Sequence, residues 1–391
     1  MLSFFRRFSN YNQEKRVNQE RAYWLAWSQI SGVGPVLLKR LEQQFGSLQT
    51  AWMVSKSALG EVEGIGLKSL PKILEQRSQI NPLQFLEEHS QKNPNFWTPA
   101  DADYPHLLKE IPSPPAVLYY QGQVNLLENQ GITPAIGIVG TRYPTEHGRR
   151  WTYSITKALV NHGFTVVSGM AAGIDGVAHE SCLEAGGRTL AVLGTGVDMV
   201  YPSNHRQLHR NIQQQGLILS EYPAGTPGDR GHFPARNRII AGLSRAVLVM
   251  EAPEKSGALI TARYANEFGR DVYTLPNSPD VEQARGCLRL IHHGAEMIVT
   301  EGELLEMLGA IPHLDQTAKQ LSLFDAPIAK PLPNLAPELL KIFQAIKTEE
   351  TSFDVIVQTT GLSPGEVSGG LLQLELEGLV NQLPGMRYQR Q

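Results

Sequence analysis

Five short apolar runs, separated by stretches with helical patterning, constrain the fold of this chain more than any other feature. They are rich in β-branched residues and read AIGIV (135–139), TVV (165–167), TLAVL (189–193), LILS (217–220) and AVLVM (246–250). Strands that alternate with helices in this way favour a parallel sheet covered by helices on both faces. Ligands of such α/β sheets bind beyond the carboxyl ends of the strands, so the loops after these runs are where a site is expected.

A helical region precedes the predicted sheet. Residues from about 20 to 95 have helical periodicity, with two Gly-x-Gly turns formed by Gly32 and Gly34 and by Gly64 and Gly66. This spacing resembles tandem helix-hairpin-helix units, in which hairpin amides meet a DNA phosphate. A small helical bundle whose glycines only make tight turns is an equally good interpretation.

The end of the chain has a different pattern. After about residue 310 it is polar with repeated prolines, which is typical of a linker. Three helical stretches then lead to two strand-like runs around a Pro-Gly turn, an order that resembles a winged helix. The sequence therefore predicts five segments: a disordered tail (1–20), a helical domain (21–100), an α/β domain (101–310), a linker (311–334) and a winged-helix domain (335–391).

The charge balance is uneven along the chain. The 391 residues carry a net charge of −3, which alone argues weakly against a nucleic-acid partner. Residues 135–300, however, hold 14 Arg and 2 Lys against 14 acidic residues, whereas residues 311–391 hold 6 basic and 9 acidic ones. Arginine suits bidentate phosphate contacts better than lysine does, so this local excess points to an anionic ligand of the middle region.

The composition excludes some classes of protein. Hydrophobic residues make up 41% of the chain, yet no stretch approaches the roughly 20 apolar residues of a membrane span. The two cysteines, Cys182 and Cys287, make no disulfide framework. These features predict a cytoplasmic protein that does not enter a membrane.

The first two strand ends argue against a dinucleotide cofactor. The loop GIVGTRYP lacks the G-x-G-x-x-G order, and Ser168 stands where a ribose-binding acid is expected after the second strand. No cofactor is therefore predicted. Gly140 still allows close backbone approach, and Arg142 supplies positive charge to an anion.

The stretch VVSGMAAGIDGVAH has the form of a phosphate-binding turn. Gly169 and Gly173 let the turn expose N–H groups, and the following helix directs its positive end to the same place. Asp175 either caps the helix or acts as a general base, and His179, one turn later, is placed to pair with it. No nucleophile is obvious nearby, so the sequence favours a role in holding the turn for both residues.

The third strand end leads to a histidine-rich helix start. Arg206 is expected on the same side as Arg142. His205 and His209 are one turn apart, as in a metal site, but no third ligand is evident and no metal is predicted. A polar helix face is the favoured interpretation.

Two later segments add to the predicted anion site. HFPARNRIIAGLS places Phe233 beside three polar side chains, those of Arg236, Asn237 and Arg238, which suit a path for a single nucleic-acid strand; a solvated helix start is the alternative. Lys255, Ser256 and Gly257 open the next helix as a further anion site. Because a mononucleotide needs only one or two such loops, at least four at one sheet edge favour an extended polyanion.

The middle region closely resembles the DNA-processing protein A family (DprA, also called Smf). The matching text includes GIVGTR, SGMAAGIDGVAHESCLEAGGRTLAVLGTGVDMVYP, LILSEYPAGTPGDRGHFPARNRIIAGLS and VLVMEAPEKSGALITARYANEFGRDVYTLP, and it extends from about 137 to 298. The resemblance implies an extended Rossmann-like fold without known catalysis, flanked by a sterile-alpha-motif-like helical domain and a winged helix. It also implies a homodimer that binds and protects single-stranded DNA and loads RecA recombinase on it during natural transformation.

Carried onto this chain, the resemblance assigns residues as well. The DNA pocket would use residues of four loops: Gly140, Arg142, Gly169, Gly173, Arg206, Arg236, Asn237 and Arg238. The dimer surface would lie around residues 290–298, with Leu290, Ile291 and Ile298. The sequence departs from the family pattern at Asn277, where glycine is usual, and in the loop DVEQARGCLRL, so the shape of the pocket rim is open.

Two other functions are alternatives to DNA binding. Phosphoribohydrolase-like enzymes of the same broad fold use a Pro-Gly-Gly-x-Gly-Thr-x-x-Glu loop, and this chain has Ser256 and Gly257 at the comparable turn without the glutamate, so no enzyme is predicted. An adaptor acting through the winged helix is the third candidate. The third helix of that domain contains Glu366, Glu375 and Glu377 and no basic residue, which predicts poor binding to duplex DNA.

Overall fold

The structure of the protein, a computed structural model, describes residues 17–309, 336–346, 351–376, 379–383 and 386–390. The chain divides into two compact units, Met1–His313 and Leu314–Gln391. Residues 1–16 of the predicted tail and the whole predicted linker (311–334) lie outside the described residues. No helix in the described part of the chain has the length and apolar character needed to cross a membrane.

The first unit begins with six helices. They are α1 (17–28), α2 (Pro35–Phe45), α3 (Leu48–Met53), α4 (Lys56–Gly60), α5 (Ser69–Gln79) and α6 (Pro82–Lys92). Their core contains Trp27 and Trp52, whose ring centroids are 5.0 Å apart in an edge-on arrangement. The two predicted Gly-x-Gly turns connect α1 to α2 and α4 to α5.

One boundary of the predicted tail is wrong. Residues 17–20 belong to α1. The carboxylate of Glu20 accepts hydrogen bonds from the backbone N–H groups of Leu48, at 2.5 Å, and Gln49, at 3.1 Å. These bonds satisfy donors at the start of α3 and fix α1 against it.

A nine-stranded sheet follows the helices. Its strands are β1 (Phe96–Trp97), β2 (Leu118–Gly122), β3 (Ala135–Val139), β4 (Thr165–Ser168), β5 (Thr189–Leu193), β6 (Leu217–Ser220), β7 (Ala246–Val249), β8 (Asp271–Thr274) and β9 (Glu296–Met297). The order across the sheet is β1-β2-β6-β5-β4-β3-β7-β8-β9. The five predicted strands and β8 and β9 are parallel, whereas β1 and β2 are antiparallel additions at the β6 edge.

Helices cover both faces of this sheet, as predicted. Those of the α/β region are α7 (His106–Glu110), α8 (Leu126–Asn129), α9 (Glu146–Asn161), α10 (Ile174–Glu184), α11 (Arg206–Gln215), α12 (His232–Leu243), α13 (Ala258–Glu267), α14 (Arg285–His292) and α15 (Glu301–Leu308). Alternate residues of β3 face opposite layers: Ile136 and Ile138 pack with α9 and α10, and Val139 packs with α12 and α13. The period of two along a strand explains why both layers read as apolar in the sequence.

The second unit has the predicted winged-helix order. It contains α16 (Pro337–Ala345), β10 (Thr351–Ser352), α17 (Phe353–Thr360), α18 (Pro364–Leu376), β11 (Val380–Leu383) and β12 (Arg387–Arg390). The three strands form an antiparallel sheet in the order β10-β12-β11. The helices and the sheet enclose a core that includes Phe343, Ile356 and Leu371.

Candidate nucleic-acid interface

A cleft opens at the carboxyl ends of the central strands. It has a volume of about 510 Å³ and is lined by the loops after β3 and β7, by the starts of α10, α12 and α13, and by Tyr201 from the loop after β5. The strand order reverses at this place, because β4 lies on one side of β3 and β7 on the other. The cleft therefore occupies the topological switch point, where loops of an α/β sheet diverge and ligands bind.

An arginine and an aspartate lie buried at the base of the cleft. Arg236 is 5% exposed, and its Nη1 donates to the carbonyl oxygens of Gly169, at 2.6 Å, and Val192. Asp175 Oδ2 accepts from the N–H groups of Gly169, at 3.1 Å, and Ala171, at 3.4 Å. These bonds tie the ends of β4 and β5 together and hold the turn before α10.

Burial shifts the pKa of both groups. It lowers the pKa of Arg236 to about 10, although the Asp175 carboxylate acts in the opposite direction. Burial likewise raises the pKa of Asp175, while Arg236 and the donated backbone N–H groups favour its charged form. Arg236 is thus a cation at neutral pH whose Nη1 and Nε already donate to protein atoms, so its first role is to hold the loops.

Three predicted phosphate-binding glycines also lie at this base, but protein atoms fill the space beside them. A methyl group on Gly169 would lie 2.5 Å from Arg236 Nη1, and one on Gly140 would lie 2.5 Å from the side chain of Ile174. Gly173 has φ +83° and would meet the carbonyl groups of Thr141 and Arg142. These glycines therefore allow the loops to pack against each other, and their contact with a phosphate stays a prediction.

His179 lies deeper in the same helix. Its Nδ1 is 2.7 Å from the hydroxyl of Thr189, and no hydrogen-bond partner is seen for its Nε2 among the described residues. Burial, with the positive potential of His205 and Arg236, lowers the pKa of His179 to about 3. The side chain is neutral at pH 7 and bonds to β5 rather than to Asp175.

Sequence reasoning missed Glu251, which fixes one wall of the cleft. It is 1% exposed, and its carboxylate accepts from the N–H and the hydroxyl of Thr145, both at 2.7 Å. Its carbonyl oxygen accepts from the N–H of Thr141 at 2.6 Å. The sequence does contain a signal for Glu251, because this glutamate directly follows an apolar strand.

Exposed aromatic and cationic side chains surround the opening. Tyr143 is 83% exposed and Tyr201 is 48% exposed. The Tyr201 ring is 5.1 Å from that of half-buried Phe233, and the guanidinium of Arg142 lies 6.0 Å from the Phe233 centroid. Arg142 and Arg230 are exposed and have no ion-pair partner among the described residues. Sequence reasoning found Arg142 and Phe233 but missed Tyr143, Tyr201 and Arg230.

We call these five residues, Arg142, Tyr143, Tyr201, Arg230 and Phe233, the rim. We call the five beneath them, Gly140, Gly169, Gly173, Asp175 and Arg236, the floor. Floor groups are bonded to or packed against other parts of the protein. Rim groups have polar atoms and ring faces available to a ligand.

The loop after β7 completes the cleft. Asn237 Nδ2 donates to the carbonyl oxygen of Gly257 at 3.1 Å, which joins α12 to the start of α13. The Ser256 hydroxyl accepts from the N–H of Ala258 at 3.2 Å, and the space beside Gly257 is open. Asn237, Ser256 and Gly257 line the cleft, whereas Lys255 is exposed on the same loop beyond the lining.

Two predicted DNA contacts are not brought to the cleft. Arg238 is 7% exposed and forms an ion pair with Glu221 at 2.5 Å, and its Nε donates to the carbonyl oxygen of Ser113. It lies one residue from Asn237 and therefore on a different side of α12. Arg206 is exposed at the start of α11 and does not line the cleft. The buried ion pair of Arg238 corrects its sequence-based assignment, whereas a DNA contact of Arg206 stays a prediction.

The predicted dimer residues have different environments. Ile298 is 1% exposed and packs into the core, so it is not available as a surface contact. Leu290 is partly buried against the core on the other face of the sheet, and Ile291 is half-buried. The exposed apolar side chains nearby are Met297 (43% exposed) and Val299 (50% exposed), at the edge strand β9.

Other sequence features lie away from the cleft. Asn277 Oδ1 accepts from the N–H of Ser278 at 2.8 Å, and residues 276–284 do not line the cleft. His205 Nδ1 is 3.1 Å from the carbonyl oxygen of Met170, and His209 Nε2 is 3.0 Å from that of Val197. Across the described ranges, no group of three or more His, Cys, Asp or Glu side chains is placed to hold a metal ion.

The winged-helix unit shows the predicted acidic helix. Glu366 and Glu375 are exposed on α18, and Glu377 lies outside the described residues. Arg390 donates from Nε to the carbonyl oxygen of Phe343 at 2.8 Å and lies 4.4 Å from that ring. The positive charge of Arg390 on the wing therefore interacts with Phe343 within the same unit.

Comparisons with known proteins match both units. A family model described as DNA recombination-mediator protein A matches residues 95–309, and one described as DprA winged helix domain matches residues 326–386. Protein Smf of Synechocystis sp. is 60% identical over 95% of this chain and 99% of its own length. The sequence of DNA processing protein DprA from Bacillus subtilis is 42% identical over 52% of this chain and 68% of its own length.

Two solved structures are also similar. DNA processing protein A from Streptococcus pneumoniae has a TM-score of 0.62 and 35% identity, and the match covers 73% of this chain and 95% of that one. DNA processing protein A from Helicobacter pylori, solved to describe its single-stranded DNA binding mode, has a TM-score of 0.50 and 31% identity over 55% of this chain and 95% of that one. The Rossmann-like fold predicted for the sheet is confirmed by these likenesses.

Proposed function

The chain belongs to the DNA recombination-mediator protein A family, and from this premise we propose that it binds single-stranded DNA in the cleft at the switch point of its sheet. The rim carries the proposal. Arg142 and Arg230 are exposed cations without an acidic partner in the described ranges, and Tyr143, Tyr201 and Phe233 stand beside them. A phosphate backbone needs such cations, and unpaired bases need aromatic faces.

The floor supports binding in a different way. Arg236 keeps a positive charge beneath the rim, and the helices α9, α10, α12 and α13 all begin at this edge of the sheet. Their positive ends add to the potential that attracts a phosphate. Asn237, Ser256 and Gly257 offer polar atoms and open space on the far wall. A single strand fits this arrangement because its bases are free to stack.

We also propose, from the family resemblance, that the protein acts in transformation and hands the bound strand to RecA. We propose further that it works as a homodimer. The exposed edge strand β9, with Met297 and the following Val299, is the surface for a second copy, since Ile298 is buried in the core. The cleft lies on the carboxyl edge of the central strands and is a separate surface.

The alternative of a nucleotide-processing enzyme has less support. Asp175 is the single carboxylate among the described residues that line the cleft. Its Oδ2 accepts two backbone N–H groups, and it lies beside buried Arg236. A general base needs a free oxygen within reach of substrate, and the bonds of Asp175 suit it to holding the turn instead.

The proposal is tested by titrating labelled single-stranded and double-stranded oligonucleotides at several salt concentrations. We expect a preference for single strands and a steep loss of affinity with salt. Arg142→Glu is expected to weaken single-strand binding about 100-fold, because it replaces a cation that donates hydrogen bonds to phosphate by a negative charge that repels it. Arg210→Glu is the matched control, since Arg210 is an exposed helical arginine on α11 outside the cleft lining.

Wild-type affinity in the Arg142→Glu variant would place the DNA elsewhere. Equal or tighter binding of duplex DNA would contradict the proposal for the whole chain. If duplex DNA binds as tightly or more tightly, the titration is repeated with a variant that lacks Leu314–Gln391. This variant distinguishes duplex binding by the winged-helix unit from duplex binding in the cleft, because that unit forms a compact body of its own.

A further inference from the structure

The solvent face of α9 carries a row of cationic and aromatic side chains that the cleft does not include. Arg149, Arg150 and Tyr153 are exposed and Lys157 is half-exposed. Helical geometry places residues three and four positions apart on one face, so these four form a stripe along the helix. We call them the α9 stripe.

The charges of the α9 stripe are largely uncompensated. Arg149 and Arg150 have no ion pair in the described ranges of the chain. Lys157 Nζ donates to the hydroxyl of Tyr153 at 3.1 Å and lies 4.8 Å from its ring centroid. The acidic neighbours are Glu146, in the first turn of α9, and Glu301 of α15, which accepts a hydrogen bond from Ser154.

The helix that carries the stripe begins beside the rim. The helix begins three residues after Tyr143, and Thr145 caps it while bonded to the buried carboxylate of Glu251. Its start is therefore held at the edge of the cleft. With 16 residues, α9 extends for about 24 Å from that edge.

We propose that a single DNA strand held in the cleft continues along α9, with Arg149, Arg150 and Lys157 at its phosphates and the ring of Tyr153 against a base. This inference rests on the proposed function. An extended polyanion with unpaired bases matches a row of cations around an aromatic ring. A strand that follows α9 extends the binding site beyond the nucleotides that the cleft encloses.

Oligonucleotides of two lengths distinguish binding along the α9 stripe from binding in the cleft. We would measure the affinity of the full chain for oligo-dT of about six and about twenty nucleotides, which lie near the lower end and beyond the upper end of the site sizes of single-strand binders. Arg150→Glu is expected to weaken binding of the longer strand about tenfold and to lower its salt dependence by about one ion, with the shorter strand unaffected. Tyr153→Leu is expected to lower the affinity for the longer strand by a smaller factor and to leave the affinity for the shorter strand unchanged.

Arg210→Glu is the control for charge reversal on an exposed helix, and it should match wild type at both lengths. If Arg150→Glu binds both lengths as wild type does, the proposed path along α9 is overturned, whereas the proposed function of the cleft stands. The α9 stripe would then be a surface for an acidic protein partner. Equal weakening at both lengths would assign Arg150 to the cleft and also overturn the path. If wild type binds neither length, the proposed function fails together with this inference.

Discussion

The rim and the floor of the cleft both contain arginine, but in opposite environments. Arg142, in the rim, is exposed and has no acidic partner in the described ranges, whereas Arg236, in the floor, is buried and bonded to two carbonyl oxygens. Both arginines follow strands of the same sheet and both line the same cleft. The partner of a guanidinium, rather than its position near a site, therefore decides whether it is available to a ligand.

The same contrast holds for the glycines. The space beside Gly257 is open to the cleft, whereas the space beside Gly173 is occupied by the backbone of the loop after β3. A glycine of the first kind permits a ligand to approach, and one of the second kind permits two loops to approach each other. Variants of the floor should therefore change the free energy of unfolding, and variants of the rim should change affinity.

Arg236→Ala should have the largest effect. It removes the guanidinium that donates to the carbonyl oxygens of Gly169 and Val192, and it removes the buried cation that favours the charged form of Asp175. We expect a loss of about 3–5 kcal/mol in the free energy of unfolding. Urea unfolding of the full chain, followed by circular dichroism, measures the loss. Arg142→Ala is the rim control and should stay within about 0.5 kcal/mol of wild type. Equal stability of the two variants would remove the distinction between floor and rim.

Gly173→Ala should come next. The residue has φ +83°, and a methyl group there would meet the carbonyl carbon of Arg142 at 2.7 Å, so we expect a loss of roughly 2–4 kcal/mol. Gly257→Ala is the matched substitution at an open position and should change stability by about 0.5 kcal/mol or less. Thermal unfolding of both variants makes the comparison, and a stable Gly173→Ala protein would contradict the packing described for this turn.

The pH dependence of stability reports on His179. Its pKa is about 3 in the folded protein against 6.5 ordinarily, so the unfolded chain takes up the proton first. The contribution of His179 to the free energy of unfolding is fully present above about pH 6.5. It falls by about 1.4 kcal/mol per pH unit as the pH is lowered from there. The difference between wild type and His179→Asn in urea unfolding at pH 7 and pH 5 isolates the effect. A constant difference between the two would show that His179 is not buried neutral.

Tyr143→Ala should give the smallest effect. The ring is 83% exposed, so stability should not change, while loss of one stacking surface should weaken single-strand binding about tenfold. Tyr143→Phe retains the ring and should bind as wild type does. Fluorescence anisotropy with oligo-dT measures both variants, and loss of affinity in Tyr143→Phe would point to a hydrogen bond of the hydroxyl in place of stacking.

Much of the fold was predictable because its signals are local. Each of the five apolar runs became a parallel strand, since a strand covered on both faces must be apolar along its whole length. Strands β1 and β2 were not predicted, because they are antiparallel additions at an edge and carry weaker patterning. Glu251 was missed since its partner, Thr145, is 106 residues away in the chain.

The family, the sheet with helices on both faces and the loops that gather at its carboxyl edge can all be inferred from the sequence. Those properties follow from local patterning and from motif text such as ARNR. The tertiary structure decided which arginine of that motif faces the cleft base and which pairs with Glu221, and whether each glycine faces a ligand or another loop. The reason is that exposure and partners depend on segments distant in the chain, whose approach only the packed sheet and helices define.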